Sequence, residues 1–459
     1  MAASDDDDEE GRRNDYEQIW SGSGFSRNPY DPKPLKVSAE DRALFVGRNK
    51  EQQRFKIQAG GTDGGLVIVE GPIGVGKTSF VNAMLYDKWN PEGRNRKRES
   101  SDKSNKKKND TEKKSYSSYL PSFETIQLKE NFELADLMLS VLSNCIFSLE
   151  RIHGRKTSDS DPDLRAGKEL IASTVRSVLG GVNLSILGSG IGVERKETPV
   201  PASTVPLPTI MNTMDRWFDK VVEKLDYQAI LVPLNNLDIL PEKIVIGFLN
   251  SARDTLLSRH HVWWILIGGP GLFLTLETNA RRVSELVTGQ PIVLEPMSLE
   301  EVLTAIKMRI EKFRTSKDAK PPIPEEAVKL LYDVSNGEVR YIFKRLSDVI
   351  YEFRTFFPSE RQIPLDVALR SLRILARQKI EAKNLTDREQ RILKLMSAEK
   401  TFRVRDYAKF GLTRPQALQK LVSAFLADGL LVRTERSYKE VYYSTSGDVN
   451  LLFQTHSKE

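Results

Sequence analysis

The chain has 459 residues, a net charge of +6, 39% hydrophobic residues and 29% charged residues, which predicts a soluble globular protein of two or three domains. Its single cysteine, Cys145, excludes a disulfide framework, and one cysteine with four histidines argues against a Cys/His zinc site. The acidic amino terminus predicts no signal peptide, and the most apolar glycine-rich stretch, Val178 to Val193, is too short and polar to span a membrane. We therefore expect a cytoplasmic protein with no membrane partner.

The beginning of the chain predicts two unlike segments. Residues 1–27 contain the acidic run Asp5 to Glu10, and because like charges repel one another we predict a disordered tail. From Asn28 onward three closely spaced prolines favour an extended arm. We assign residues 28–314 to one domain.

An apolar strand, Leu66 to Val69, runs directly into the phosphate-binding pattern G-x-x-x-x-G-K-[ST]. Glycines let backbone N–H groups approach a phosphate, and the helix that follows points its positive end at the same anion. In this pattern Lys77 would reach the β- and γ-phosphates, and the Thr78 hydroxyl would bind Mg²⁺. The sequence therefore predicts a site for ATP or ADP with Mg²⁺. Its loop residues are Gly71, Pro72, Ile73, Gly74, Val75, Gly76, Lys77, Thr78 and Ser79.

Within this nucleotide-binding domain, residues 28–314, two segments are predicted to be inserts. Residues 92–117 are almost free of apolar side chains and predict a disordered basic insert. Its lysines and arginines could hold a phosphate backbone, although a solvated loop without a partner is the simpler interpretation. Residues 180–206 alternate small and β-branched residues before a proline-rich connection, which predicts a hairpin insert.

Two further buried strands are predicted to end near the phosphate loop. The first, Ile230 to Leu234, ends in Asn235-Asn236-Leu237-Asp238, where P-loop ATPases carry the acidic Walker B residues. If the strand stays extended, Asn236 and Asp238 share a face, so Asp238 could partly replace the missing acids. The second, Val262 to Ile267, ends at Gly268-Gly269-Pro270 and is followed by Arg281 and Arg282.

Residues 315–380 predict a small helical lid, which a helix from Ser298 to about Phe313 precedes. Ser298 and Glu301 form a capping-box pattern at the start of that helix. Within the lid, Asn336-Gly337-Glu338-Val339-Arg340 places an arginine at the start of a helix. This pattern alone is also compatible with an Arg340 side chain that faces solvent.

Residues 381–459 predict a winged helix-turn-helix domain. Thr386 caps the first helix, Thr413 to Gln416 forms a capping box with proline in the first turn of the third helix, and a hairpin follows as the wing. The third helix is predicted to bury Ala417 with five larger apolar residues. The predicted DNA-binding residues are Arg414, Gln416, Gln419 and Lys420 on that helix and Arg436 and Lys439 on the wing.

The order of these motifs resembles the origin-recognition branch of AAA+ ATPases, over roughly Leu44 to Phe453. The resemblance implies an α/β fold with a parallel five-stranded sheet, a lid, and nucleotide-dependent self-assembly on double-stranded DNA. It places Val46, Gly47 and Arg48 against the adenine and Arg340 on the phosphates. It also implies that Arg281 or Arg282 reaches a neighbour's nucleotide, and that Asn235 and Asn236 occupy catalytic positions, so that hydrolysis is slow.

Two other functions remain open at this point. One is a STAND-like signalling or defence switch that uses the winged helix as a protein interface. Proteins of its plant-immunity type close on ADP through a winged-helix histidine, whereas His456 is the only histidine after His261 in this sequence. The other is a transposition-type AAA+ regulator.

Overall fold

The computed structural model describes residues 19–61, 63–90, 118–130, 133–179, 205–357, 362–437 and 440–454. Several predictions fall outside these residues: most of the acidic tail, the basic insert 92–117 and nearly all of the predicted hairpin insert 180–206. Lys439 and the side chain of Arg436 lie outside them as well. No helix in the described ranges is long and apolar enough to cross a membrane.

A parallel β-sheet forms the centre of the first domain, assigned to residues 28–314. Its strands are β1 (Gly64–Glu70), β2 (Ser118–Pro121), β3 (Ile126–Gln127), β4 (Tyr227–Asn235), β5 (Val262–Gly268) and β6 (Ile292–Val293). The strand order is β2-β4-β5-β1-β6, and β3 also pairs with β4. Because β2 and β3 lie end to end along one edge of β4, the sheet is five strands wide. The predicted parallel five-stranded sheet is confirmed.

Helices cover both faces of this sheet. They are α1 (Ala39–Arg42), α2 (Asn49–Gln58), α3 (Lys77–Trp89), α4 (Leu134–His153), α5 (Pro162–Leu179), α6 (Leu207–Leu225), α7 (Glu242–Ala252), α8 (Leu272–Asn279) and α9 (Arg281–Ser284). Alternate strand residues point to opposite faces. Leu66 and Ile68 of β1 therefore join a core with α4, α6 and α7, whereas Val67 and Val69 join a core with α2 and α3. Burial on both faces explains why these strands are continuously apolar.

The lid consists of α11 (Glu325–Ser335), α12 (Val339–Phe356) and α13 (Leu365–Glu381), together with α10 (Leu299–Phe313). The sequence pattern places α10 before the lid, but its apolar side chains pack in the same core as those of the other three helices. The capping box predicted at Ser298 is confirmed, because the Ser298 hydroxyl accepts from the Glu301 N–H and the Glu301 carboxylate accepts from the Ser298 N–H. Apolar side chains on the inner faces of the four helices form a core of their own.

The predicted disordered tail, 1–27, is too long, because residues 19–27 are folded against the lid. Trp20 and Phe25 are both buried in the lid core. The Trp20 indole donates to the Tyr351 hydroxyl at 3.3 Å. The acidic run ends at Glu10, and burying two large aromatic side chains beyond it offsets the cost of ordering this segment.

The carboxyl-terminal part contains α14 (Asp387–Ser397), a 3₁₀ segment (Val404–Phe410), α15 (Pro415–Ala427), the antiparallel pair β7 (Leu431–Ser437) and β8 (Glu440–Thr445), and α16 (Gly447–Phe453). These are the three helical segments and the hairpin that the sequence predicts. A capping box at Thr386 is present, but the one predicted at Thr413 is not. Arg414 is the N-cap of α15 instead, because the residue before a proline is disfavoured in helical geometry and Pro415 occupies the first helical position.

A buried carboxylate, Asp448 of α16, attaches this part of the chain to the lid. It is fully buried and accepts hydrogen bonds from the Tyr341 hydroxyl at 2.9 Å, from Arg345 Nε at 2.8 Å and from Lys379 Nζ at 2.7 Å. Tyr341 and Arg345 belong to α12 and Lys379 to α13. A buried charge with this many donors fixes the orientation of α16 on the lid.

Candidate functional site

The phosphate loop lies at the junction of β1 and α3, in the centre of the sheet. Gly74 and Gly76 have φ angles of 77° and 95°, in the left-handed region that favours glycine. Helix α3 begins at Lys77, with Gly76 as its N-cap. The free N–H groups of its first turn therefore face the loop, as anion binding requires.

The Lys77 side chain lies inside this loop. It is 8% exposed, and its Nζ donates to the carbonyl oxygens of Gly71 at 2.8 Å and Pro72 at 3.0 Å. It also pairs with Asp238 Oδ2 at 3.1 Å. Burial lowers the pKa of Lys77, whereas Asp238 opposes that shift. The Lys77 ammonium thus has three oxygen neighbours, two loop carbonyls and one carboxylate.

The end of β4 brings Asn235 to the loop but turns Asn236 away. Asn235 Nδ2 lies 3.5 Å from the Thr78 hydroxyl oxygen. Asn236 has a φ of 68°, and its amide donates to Gln127 Oε1 at 3.2 Å. The expectation that Asn236 and Asp238 share one extended face is therefore wrong, because the strand ends at Asn235 and the chain reverses at a left-handed residue that asparagine tolerates.

Gly269, directly after β5, makes room for Asp238. A Cβ atom on Gly269 would lie 3.1 Å from the Asp238 Cβ, closer than ordinary packing allows. At the neighbouring strand end, the Glu70 carboxylate accepts the Phe273 N–H at 3.1 Å, which joins the end of β1 to the first turn of α8. Burial raises the pKa of Glu70, and the Phe273, Gly271 and Leu272 N–H groups oppose the shift. No sequence pattern pointed to Glu70.

A cleft of about 760 Å³, counting its open mouth, continues from the phosphate loop between the arm, α3 and the lid. Val46 and Arg48 line it, and Gly47 between them has a φ of 71°. Arg48 donates to the Val75 carbonyl at 3.5 Å, and burial lowers its pKa. Gly74, Val75, Gly76, Thr78 and Ser79 form the loop side of the cleft. The segment at 46–48 thus lies next to the phosphate loop.

The arm supplies cleft residues that sequence reasoning missed. Residues 31–35 line the cleft, and the Leu35 N–H donates to the Ser79 hydroxyl at 3.1 Å. Arg309 of α10 donates to the Asp31 carbonyl at 2.8 Å and stacks over the Phe343 ring at 4.5 Å. Burial lowers the pKa of Arg309 to about 10. Only the tertiary structure brings α10, α12 and the arm together here.

The lid contacts the phosphate loop through the start of α12. The Arg340 N–H donates to the Gly74 carbonyl at 3.2 Å, and the exposed Arg340 side chain lines the cleft. Glu338 packs directly on Gly74: a Cβ atom there would lie 2.7 Å from the Glu338 carboxyl carbon. The Glu338 carboxyl is largely buried, and this burial raises its pKa to about 7.

Arg281 and Arg282 lie outside the cleft of their own chain. Their side chains are 86% and 70% exposed, and they pair with Glu285 at 3.5 Å and with Asp254 at 3.3 Å. An exposed position is what a contact to a neighbouring copy requires, so their role in trans stays a prediction.

The outer face of α15 carries the predicted DNA-binding residues. Arg414, Gln416, Gln419 and Lys420 are all exposed. Ala417, which was predicted to be buried, is exposed on the same face. Leu418, Val422 and Phe425 alone supply the fully buried side of this helix, so its outer face is wider than the sequence pattern indicated.

No protein-family model matches the sequence, and no curated protein matches it. Solved structures with a similar course of the chain include Drosophila ORC bound to DNA, at 12% identity over 100% of this chain and 94% of that chain, with a TM-score of 0.39. They also include the Aeropyrum pernix ORC1 protein in complex with DNA, at 12% identity over 92% and 97%, with a TM-score of 0.42. A Walker-type ATPase of Pyrococcus abyssi is 13% identical over 93% and 99%, with a TM-score of 0.44. The ORC proteins are the group that the sequence motifs resemble.

Proposed function

We propose that this chain is an AAA+ protein that binds ATP or ADP with Mg²⁺, and that its nucleotide state controls self-assembly and DNA binding. The observation that carries this proposal is the complete phosphate loop at the β1–α3 junction, which borders a cleft between the arm, α3 and the lid. Backbone N–H groups of the loop and the first turn of α3 would hold the phosphates, and Lys77 would exchange Asp238 for phosphate oxygens.

The residues around Thr78 fit a magnesium ion bound together with phosphates. The Thr78 hydroxyl would be a direct ligand, as the P-loop pattern requires. Asn235 lies beside it and carries an amide oxygen as well as the nitrogen, so a rotated amide could accept from a Mg²⁺-bound water. The ion would supply charge neutralisation between the phosphates, while the chain itself fixes their position.

Hydrolysis in this site is expected to be slow. Asn235 and Asn236 bring no negative charge to the metal and cannot accept the proton of an attacking water as a carboxylate does. Asp238, the remaining carboxylate of this segment, is engaged with Lys77. ATP and ADP would then act mainly as conformational ligands that stabilise different states of the lid.

DNA binding is assigned to the outer face of α15 and the wing. Arg414 and Lys420 provide positive charge, Gln416 and Gln419 provide hydrogen-bonding groups, and none is covered by another described segment. A helix with this mixture of exposed groups suits contacts to phosphates and base edges. Nucleotide binding would affect this face through the lid, because Asp448 joins α16 to α12 and α13.

One observation favours a signalling switch as the second candidate. The same Asp448 contacts hold the carboxyl-terminal part against the lid. Against it, none of the described residues that line the cleft belongs to 381–454. A transposition-type AAA+ regulator would, like the first candidate, bind both nucleotide and DNA. Binding to duplex DNA separates the first candidate from the signalling switch.

The direct test is calorimetry of ATP and ADP binding with Mg²⁺, on wild type and Lys77→Ala. Loss of a charge-assisted phosphate contact should weaken binding about tenfold or more. Lys50→Ala is the matched control, because Lys50 is exposed on α2. Equal affinity of Lys77→Ala and wild type, with both folded, would refute the proposal.

A further inference from the structure

Glu338 occupies the N-cap position of α12, yet its carboxylate does not cap that helix. The side chain turns toward the phosphate loop instead. The Glu338 side chain fits against Gly74 only because glycine has no Cβ atom. A Cβ atom at position 74 would overlap the Glu338 Cγ and Oε1 atoms. A carboxylate is thus packed against the loop that is built to receive phosphate anions.

This carboxylate packs on the phosphate loop at Gly74, next to the cleft. Its chain neighbours Val339 and Arg340 line the cleft together with Gly74. Lys77, the residue that reaches the β- and γ-phosphates in this motif, is close enough for its charge to act on Glu338. A third phosphate that reaches Lys77 would therefore come within range of the Glu338 carboxylate as well.

Arg340 is the cation that acts most strongly on Glu338, and its exposed side chain lines the cleft. Lys77 pairs with Asp238 and with two loop carbonyls. A third phosphate in the cleft would face the Glu338 carboxylate in addition to these cations, in a region of reduced dielectric where like charges repel strongly.

We propose that Glu338 is a specificity-determining residue: while α12 is docked on Gly74, it makes the cleft bind a nucleoside diphosphate in preference to the triphosphate. Binding of the triphosphate requires α12 to move away from Gly74 and take Glu338 with it. This inference deepens the proposed nucleotide site and rests on it.

The charged groups that act on Glu338 come from every element around it. Burial is the largest influence and disfavours its ionised form, as does Asp448 of α16, whereas Arg340 of α12, Lys379 of α13 and Lys77 of α3 favour that form. The balance raises the pKa of Glu338 to about 7, so the diphosphate preference should strengthen between pH 6 and pH 8. The nucleotide's own titration is the same for every variant, so the comparison is between variants at each pH.

The experiment measures Kd for ADP and for the β,γ-imido analogue of ATP, with Mg²⁺, by calorimetry at pH 6 and pH 8. We expect wild type at pH 8 to bind ADP about tenfold or more tightly than the triphosphate analogue. Glu338→Gln keeps the shape of the side chain and should reduce this ratio to within about twofold, chiefly by tightening triphosphate binding. Glu338→Ala should do the same, and it provides a second variant if the glutamine protein does not fold.

Glu326→Gln is the matched control, because Glu326 is an exposed lid glutamate on α11; its ADP preference should equal that of wild type. If wild type, Glu338→Gln and Glu338→Ala have the same ratio of triphosphate-analogue Kd to ADP Kd at both pH values, the inference is wrong, although the protein still binds nucleotide. If wild type binds neither nucleotide, the proposed function itself fails, and this result is distinct from the first.

Discussion

Lys77 Nζ and Asp238 Oδ2 lie 3.1 Å apart inside the phosphate loop. The lysine that the motif supplies for phosphates is therefore held by the carboxylate that follows the Walker B-like strand. The two side chains are 8% and 14% exposed, so this ion pair is largely removed from water. Nucleotide binding must exchange one anionic partner of Lys77 for another, which links occupancy of the loop to the position of the Asp238 segment.

Removal of Asp238 should destabilise the nucleotide-free protein and leave the nucleotide complex less affected. Asp238→Ala leaves Lys77 as a buried charge without its carboxylate, and breaking a buried pair in this way costs about 3–5 kcal/mol. Urea unfolding with and without Mg²⁺-ADP measures both states. Saturating ADP should restore much of the loss, because phosphate oxygens replace the carboxylate. The control is Asp366→Ala, an exposed aspartate of α13; equal unfolding midpoints for both variants without nucleotide would contradict the role of the pair.

Steady-state ATP turnover by wild type should fall below about 1 s⁻¹, the lower end of typical enzyme rates. Asn235→Asp places a carboxylate next to Thr78 and should lower the Mg²⁺ concentration needed for half-maximal turnover. Asn236→Asp should leave that Mg²⁺ concentration unchanged, because the Asn236 side chain turns toward Gln127. Phosphate release with and without duplex DNA is the measurement. Rapid wild-type turnover that Asp238→Ala does not reduce would show that the catalytic base lies elsewhere.

Neutralising Arg414, Lys420, Arg436 and Lys439 should weaken duplex binding and flatten its dependence on salt. Each lost phosphate contact reduces the counterions released, by roughly 0.9 in the slope of log K against log salt. Fluorescence anisotropy at several salt concentrations measures affinity and slope together. Lys394→Ala changes an exposed lysine of α14 and serves as the control. A folded quadruple variant that binds duplex like wild type would identify this domain as a protein interface.

Stability should fall as pH rises through the titration of Glu338. The pKa of Glu338 is raised to about 7 in the folded protein from 4.5, so the unfolded chain releases this proton first. The contribution is fully present below about pH 4.5 and is lost as pH rises through about 7, a loss that approaches about 3 kcal/mol. Urea unfolding of wild type and Glu338→Gln between pH 5 and pH 8.5 measures the difference. If both proteins show the same pH dependence, Glu338 does not titrate in this range.

Local sequence signals determined the phosphate loop and much of the secondary structure. The glycines at 74 and 76 are needed for left-handed backbone angles, and Ser298 and Thr386 start helices through side-chain caps within four residues. Strands β1, β4 and β5 are continuously apolar because both of their faces are buried. Each of these features depends on neighbours in the chain or on a single periodicity, so the sequence by itself was sufficient.

Only the tertiary structure decided which distant groups meet at the loop. Asp238 reaches Lys77 and Asn236 does not, because one left-handed residue reverses the chain after β4. Glu338 lies on Gly74 because the lid docks there, although 264 positions separate the two in sequence (338 − 74). Trp20 and Phe25 likewise pack in the lid core, and residues 31–35 of the arm that follows them line the cleft. Contacts of this kind depend on how helices dock on a sheet, and that arrangement comes from the shape of entire buried faces rather than from a local pattern.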